Sequence, residues 1–99
     1  MSFEPGALDQ SLLAAVGDSP ALIAELRAAF VQALVRQLDA LESASTADVW
    51  IDAAHRLRGL AASFGADDVM DAAANAVHCR PGDRATLARL REACRGLAA

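Results

Sequence analysis

The residues best suited to chemistry lie together in one stretch, Ile51-Asp52-Ala53-Ala54-His55-Arg56-Leu57-Arg58-Gly59. Imidazole is a competent nucleophile near neutral pH, because a free histidine side chain titrates at about 6.5. Arg58 follows His55 by one helical turn. A guanidinium there can pair with phosphate oxygens through its charge and its planar fork of donors. Gly59 is unusual, since glycine inside a helix costs about 1 kcal/mol relative to alanine. One explanation is that the backbone of a partner must approach closely beside the imidazole. On a helix the neighbours of His55 are Ile51, Asp52, Arg58, Gly59 and Ala62. This set suits phosphoryl transfer to a ring nitrogen.

Plainer readings exist for each residue. A single exposed histidine on a helix is more often an ordinary surface residue. Arg58 can be the salt-bridge partner of Asp52 or of an acid on another helix, and Gly59 can allow tight packing against the preceding helix. Trp50 and Phe64 are most simply core. Asp52 either orients the ring through its other nitrogen or is solvated, and the second is preferred.

Five helical segments follow from the positions of glycine and proline. Leu8–Val16 reads as a short apolar helix ended by Gly17. Ser19 fits an N-cap and Pro20 the first helical position. The helix they open should run to about Ser43, with Ile23, Leu26, Phe30, Leu34, Leu38 and Leu41 as its apolar stripe. Ser45 or Thr46 can cap the next, with Asp48 in its first turn, where the helix dipole favours a carboxylate. That helix carries His55, ends at Phe64-Gly65, and has an expected core stripe of Val49, Ala53, Leu57, Leu60 and Phe64, widened by Trp50, Ala54 and Ala61. His55 then lies about 140–180° from the stripe centre and faces water. Asp67 is the expected cap of a shorter helix, about Asp68 to His78, burying Val69, Met70, Ala73 and Val77. Pro81-Gly82-Asp83 is a turn whose Asp83 caps the last helix, with Leu87, Leu90, Cys94 and Leu97 as its seam. Short loops make neighbouring helices antiparallel. The expected fold is all-α: an antiparallel up-down four-helix bundle with a short extra N-terminal helix.

The chain has 99 residues, one domain's worth, with 55% hydrophobic residues, three prolines and six glycines. A domain this size buries roughly 60–65% of its unfolded surface, which leaves no room for a deep enclosed site. The formal net charge is −4 and every basic side chain is arginine. Nucleic-acid binding is not expected, because phosphate neutralisation needs a positive footprint. Arg80, Arg84, Arg89, Arg91 and Arg95 would point in several directions on a helix and read as a solvated face.

No apolar run approaches the ~20 residues that span a bilayer, and the N-terminus lacks a signal-peptide pattern. The expectation is a cytoplasmic protein with Cys79 and Cys94 as free thiols. The initial Met and the full set of helices suggest a free-standing protein. No P-loop or glycine-rich nucleotide loop occurs, so no use of ATP is expected. His78, Cys79 and Cys94 are too few and badly spaced for a zinc site.

The stretch AAHRLRGLAASFGADDV, Ala53 to Val69, resembles the signature of histidine-phosphotransfer (HPt) domains. That pattern runs histidine, any residue, aliphatic, Lys or Arg, glycine, small residues, then glycine with a small or apolar residue. His55, Leu57, Arg58, Gly59, Ala61, Ala62, Gly65 and Ala66 match it. The likeness extends upstream through Leu8-Asp9, Gly17-Asp18, Leu22, Glu25-Leu26, Phe30 and Asp48. Arg58 stands where lysine is commoner, Leu60 where a small residue is usual, and the helix after Gly65 is short and alanine-rich.

The resemblance implies a phosphocarrier of a bacterial two-component multistep phosphorelay. His55 would accept a phosphoryl group from the aspartate of a response-regulator receiver domain and pass it to another. Arg58 would stabilise phosphoryl charge, and Ile51, Asp52, Gly59 and Ala62 would meet the partner. The chain would need no cofactor or metal of its own, the receiver supplying Mg²⁺. A sensor or hybrid histidine kinase would stand upstream, and the carrier would act as a monomer without autokinase activity. The rival functions are a helical adaptor that binds a receiver without being phosphorylated, and a phosphate sink.

Overall fold

A computed structural model describes residues 19–98, and all of its regular structure is helical. Four helices follow one another: α1 (Pro20–Ser43), α2 (Ala47–Ser63), α3 (Asp67–Ala76) and α4 (Arg84–Ala98). The helix expected at Leu8–Val16 lies outside the described residues.

Each boundary has a local cause. Ser19 caps α1, its hydroxyl accepting from the Leu22 N–H at 3.5 Å, and Pro20 opens the helix. Thr46 caps α2 through the Val49 N–H at 3.3 Å, with Asp48 in the first turn. At the end of α2 the Ala66 N–H reaches the Ala61 carbonyl at 2.9 Å and the Gly65 N–H reaches Ala62 at 3.3 Å. This closing pattern needs a left-handed residue, supplied by Gly65 at φ 68°. Asp83 accepts from both the N–H and the hydroxyl of Thr86, which satisfies that buried side chain. The same bonds hold the Asp83 carboxyl below its usual pKa.

The start of α3 differs from expectation. Its N-cap is Ala66, which makes no side-chain cap bond, and Asp67 is already inside the helix. The tight turn at Gly65 starts the helix one residue early. Asp67 and Asp68 then occupy the first turn, beside its unpaired N–H groups. The helix also ends at Ala76, two residues before His78.

α1 packs against α2, α2 against α3, α3 against α4, and α4 back against α1. The core between them contains Phe30, Leu34, Leu38 and Leu41 of α1 and Trp50, Ala53, Ala54, Leu57 and Ala61 of α2. Val69, Ala72, Ala73 and Ala76 come from α3, and Leu90 and Cys94 from α4. The rings of Phe30 and Phe64 meet at 4.3 Å, tilted by 38°. Arg91 of α4 pairs with Glu42 of α1. Among the described residues no helix is long and apolar enough to cross a membrane.

The buried stripe of α2 is rotated from the expected one. Val49 is 50% exposed and Leu60 and Phe64 are only partly buried, whereas Trp50 is fully buried. Trp50 carries the most apolar area on this helix and a polar N–H that needs a partner when buried. It finds one in the Ala76 carbonyl of α3, at 2.7 Å. The helix therefore turns its tryptophan and three of its alanines inward. Ala53, Ala54 and Ala61 are small enough to let neighbouring helices approach.

Candidate functional site

The outward face of α2 follows from that rotation. With Trp50, Ala54, Leu57 and Ala61 buried, His55 lies roughly 140° from the centre of the buried stripe and is exposed. Its helical neighbours Ile51, Asp52, Arg58, Gly59 and Ala62 are exposed as well. The structure thus brings together, on one surface, all six residues singled out from the sequence.

Arg58 makes no hydrogen bond or ion pair with any described residue, so its donors are available to an anion beside the imidazole. The salt bridge considered for it with Asp52 is made instead by Arg56. The Arg56 Nε donates to Asp52 Oδ2 at 3.1 Å, from one turn further along the helix. Sequence reasoning passed over Arg56, although the Asp-to-Arg spacing of four residues was the signal for it.

Gly59 does not pack against α1. A Cβ built there meets nothing within 4 Å, so the space outside this backbone is open. Its carbonyl accepts from the Ser63 hydroxyl at 3.0 Å. Since the space is open and the backbone helical, Gly59→Ala should stabilise the domain by up to ~1 kcal/mol. Thermal melts check this, and a rise of several degrees in Tm is the expected result. A fall would mean that the position is crowded.

Other reactive groups lie elsewhere. His78 is exposed beyond the end of α3, Cys79 is half-buried, Cys94 is buried, and both thiols are free. Burial pushes the Cys94 thiol pKa up. Among the described residues no group of three or more His, Cys, Asp or Glu side chains could hold a metal ion. An open groove of about 380 Å³ between α3 and α4 is lined by Asp68, Asp71, Arg89, Glu92, Ala93 and Gly96. It contains no residue of α2. The late arginines are divided among different surroundings: Arg91 pairs with Glu42, Arg95 with Glu92, and Arg89 lines this groove.

The arrangement on α2 is thus an accessible imidazole, an unpaired guanidinium one turn on, and open space over a glycine. It can offer a nitrogen nucleophile to a phosphoryl group held by another molecule. No family model matches the sequence, and no curated protein or solved structure matches it significantly.

Proposed function

We propose that this chain is a histidine-phosphotransfer carrier of a two-component phosphorelay, with His55 as phosphoacceptor. The observation that carries the reading is the shared exposed face of His55, the unpaired Arg58 and the open Gly59. They stand in the spacing of the HPt signature, closed by Gly65. In this reading the four described helices form an antiparallel up-down bundle. The contacts joining Trp50, near the start of α2, to Ala76, at the end of α3, support that arrangement. So does the pairing of Phe30 in α1 with Phe64 at the end of α2.

A receiver domain carrying an aspartyl phosphate and Mg²⁺ docks over His55. The imidazole Nε2 attacks phosphorus as the P–O bond to the aspartate breaks, and the carboxylate leaves with the bonding pair. A second receiver takes the group by the reverse step. Catalysis is chiefly positioning, with the metal and most charge stabilisation supplied by the receiver. The carrier works as a cytoplasmic monomer of a bacterial pathway headed by a sensor or hybrid histidine kinase.

The direct test is transfer from a radiolabelled receiver, followed by addition of an unlabelled second receiver. A carrier takes the label and gives it up. An adaptor takes none, and a sink keeps it or loses it to water. Incubation with labelled ATP and Mg²⁺ alone should give no phosphoprotein. Gly59→Leu should fold yet lose most transfer from a receiver, while still reacting with a small donor.

Arg58→Ala should slow transfer by the loss of one charge-assisted hydrogen bond, about 1.5–3 kcal/mol, or roughly ten- to a hundredfold. Arg58→Lys should retain much of the rate. The side chain is exposed and makes no hydrogen bond or ion pair with a described residue, so circular dichroism should be unchanged. Unfolding of Arg58→Ala would make the residue structural and end its phosphate role.

A further inference from the structure

We propose that the Asp52–Arg56 ion pair is a charge screen for His55: Arg56 masks the one α2 carboxylate within a turn of the imidazole, so an incoming phosphoryl group meets Arg58 and not a bare Asp52. This rests on the phosphocarrier reading and adds a positioning residue to it. Asp52 precedes His55 by three residues, so the two side chains leave the helix on the same side. An unmasked carboxylate there would repel a group carrying about two negative charges. Arg56, next in sequence to His55, points roughly 100° away from it and does not lie over the ring. It turns back to Asp52, donating from Nε to Oδ2 at 3.1 Å.

The pair's exposure separates this role from a structural one. The two side chains are 65% and 63% exposed. An ion pair so open to water adds little to stability. Removing one partner would leave the other's charge acting at the neighbouring surface, within the ~10 Å over which charges are felt at moderate salt. The two arginines thus divide the work. Arg56 neutralises the acid, and Arg58, with no partner among the described residues, is left for the phosphate.

Phosphoramidate is a suitable probe, because it phosphorylates imidazole with no partner protein present. The lone pair on a ring nitrogen forms the new N–P bond as the P–N bond of the donor breaks. Ammonia leaves with the bonding pair and the protons already on it, and the second ring nitrogen keeps its own proton.

At low ionic strength Arg56→Gln should slow labelling of His55 about three- to tenfold, from one unmasked charge about a turn away. Arg56→Lys should stay near the wild-type rate. Adding Asp52→Asn to Arg56→Gln should restore the rate, because nothing is left to mask. The deficit of Arg56→Gln should shrink at high salt, and no variant should change the helical circular-dichroism spectrum. Labelling of Arg56→Gln at the wild-type rate would overturn the screen and leave the phosphocarrier reading standing. So would a deficit that Asp52→Asn does not rescue. A wild-type chain that takes no label at His55 would overturn both.

Discussion

Replacing His55 with Gln should abolish phosphoryl acceptance from a receiver while leaving the helical circular-dichroism spectrum unchanged. His55 is exposed on the outward face of α2, and its ring makes no hydrogen bond with a described residue, so glutamine removes the nucleophile and little else. Surface substitutions of this kind usually stay within about 0.5 kcal/mol of neutral. The other histidine, His78, sits beyond the end of α3 and lacks the setting of a cation one helical turn ahead. The label on the wild-type protein should be lost in acid and kept in base, as expected of a phosphorus–nitrogen bond. Label persisting on His55→Gln, at His78 or elsewhere, would remove His55 from the proposed role.

Trp50→Ala should cost on the order of 3–5 kcal/mol, the range for deleting a large buried aromatic side chain. Total stability for a domain is only about 5–15 kcal/mol, so this variant should melt far below the wild type or be largely unfolded. The side chain is fully buried, and its indole N–H donates to the Ala76 carbonyl at 2.7 Å, tying α2 to α3. Trp50→Phe keeps most of the apolar contact and loses the hydrogen bond, so a smaller cost of about 0.5–1.5 kcal/mol is expected beyond the volume change. Urea unfolding followed by circular dichroism measures both, since the only tryptophan is the one replaced. The result bears on the helix that carries His55, because Trp50 anchors α2 to α3. If Trp50→Ala were as stable as the wild type, the indole and its hydrogen bond to Ala76 would not be what fixes the rotation of α2.

Much of this molecule follows from local chemistry that a linear sequence carries. Ser19 with Pro20, Thr46 and Asp83 begin helices because each offers an acceptor oxygen to N–H groups that have no partner in the first turn. Gly65 ends α2 because a left-handed backbone is cheap only without a Cβ. The exposure of His55 was legible for the same reason. It stands opposite the apolar stripe of its helix, so rotating the helix by half a residue's angle does not bury it.

The tertiary structure decided what depends on competition between neighbours. Val49 and Trp50 are adjacent, and periodicity alone accommodates either at the core. The larger burial of the indole, and a carbonyl placed to receive its N–H, chose Trp50 and left Val49 half in water. On α3 the alanines Ala72 and Ala76 sit deeper than Met70 and Val77, because depth there is set by how closely the neighbouring helices approach. Arg91 and Glu42 lie far apart in the sequence, and only the packing of α4 on α1 brings the two side chains together. A sequence specifies which side chains a helix carries and how they are spaced. The final rotation of that helix, and which charges on different helices meet, depend on the surfaces packed against it.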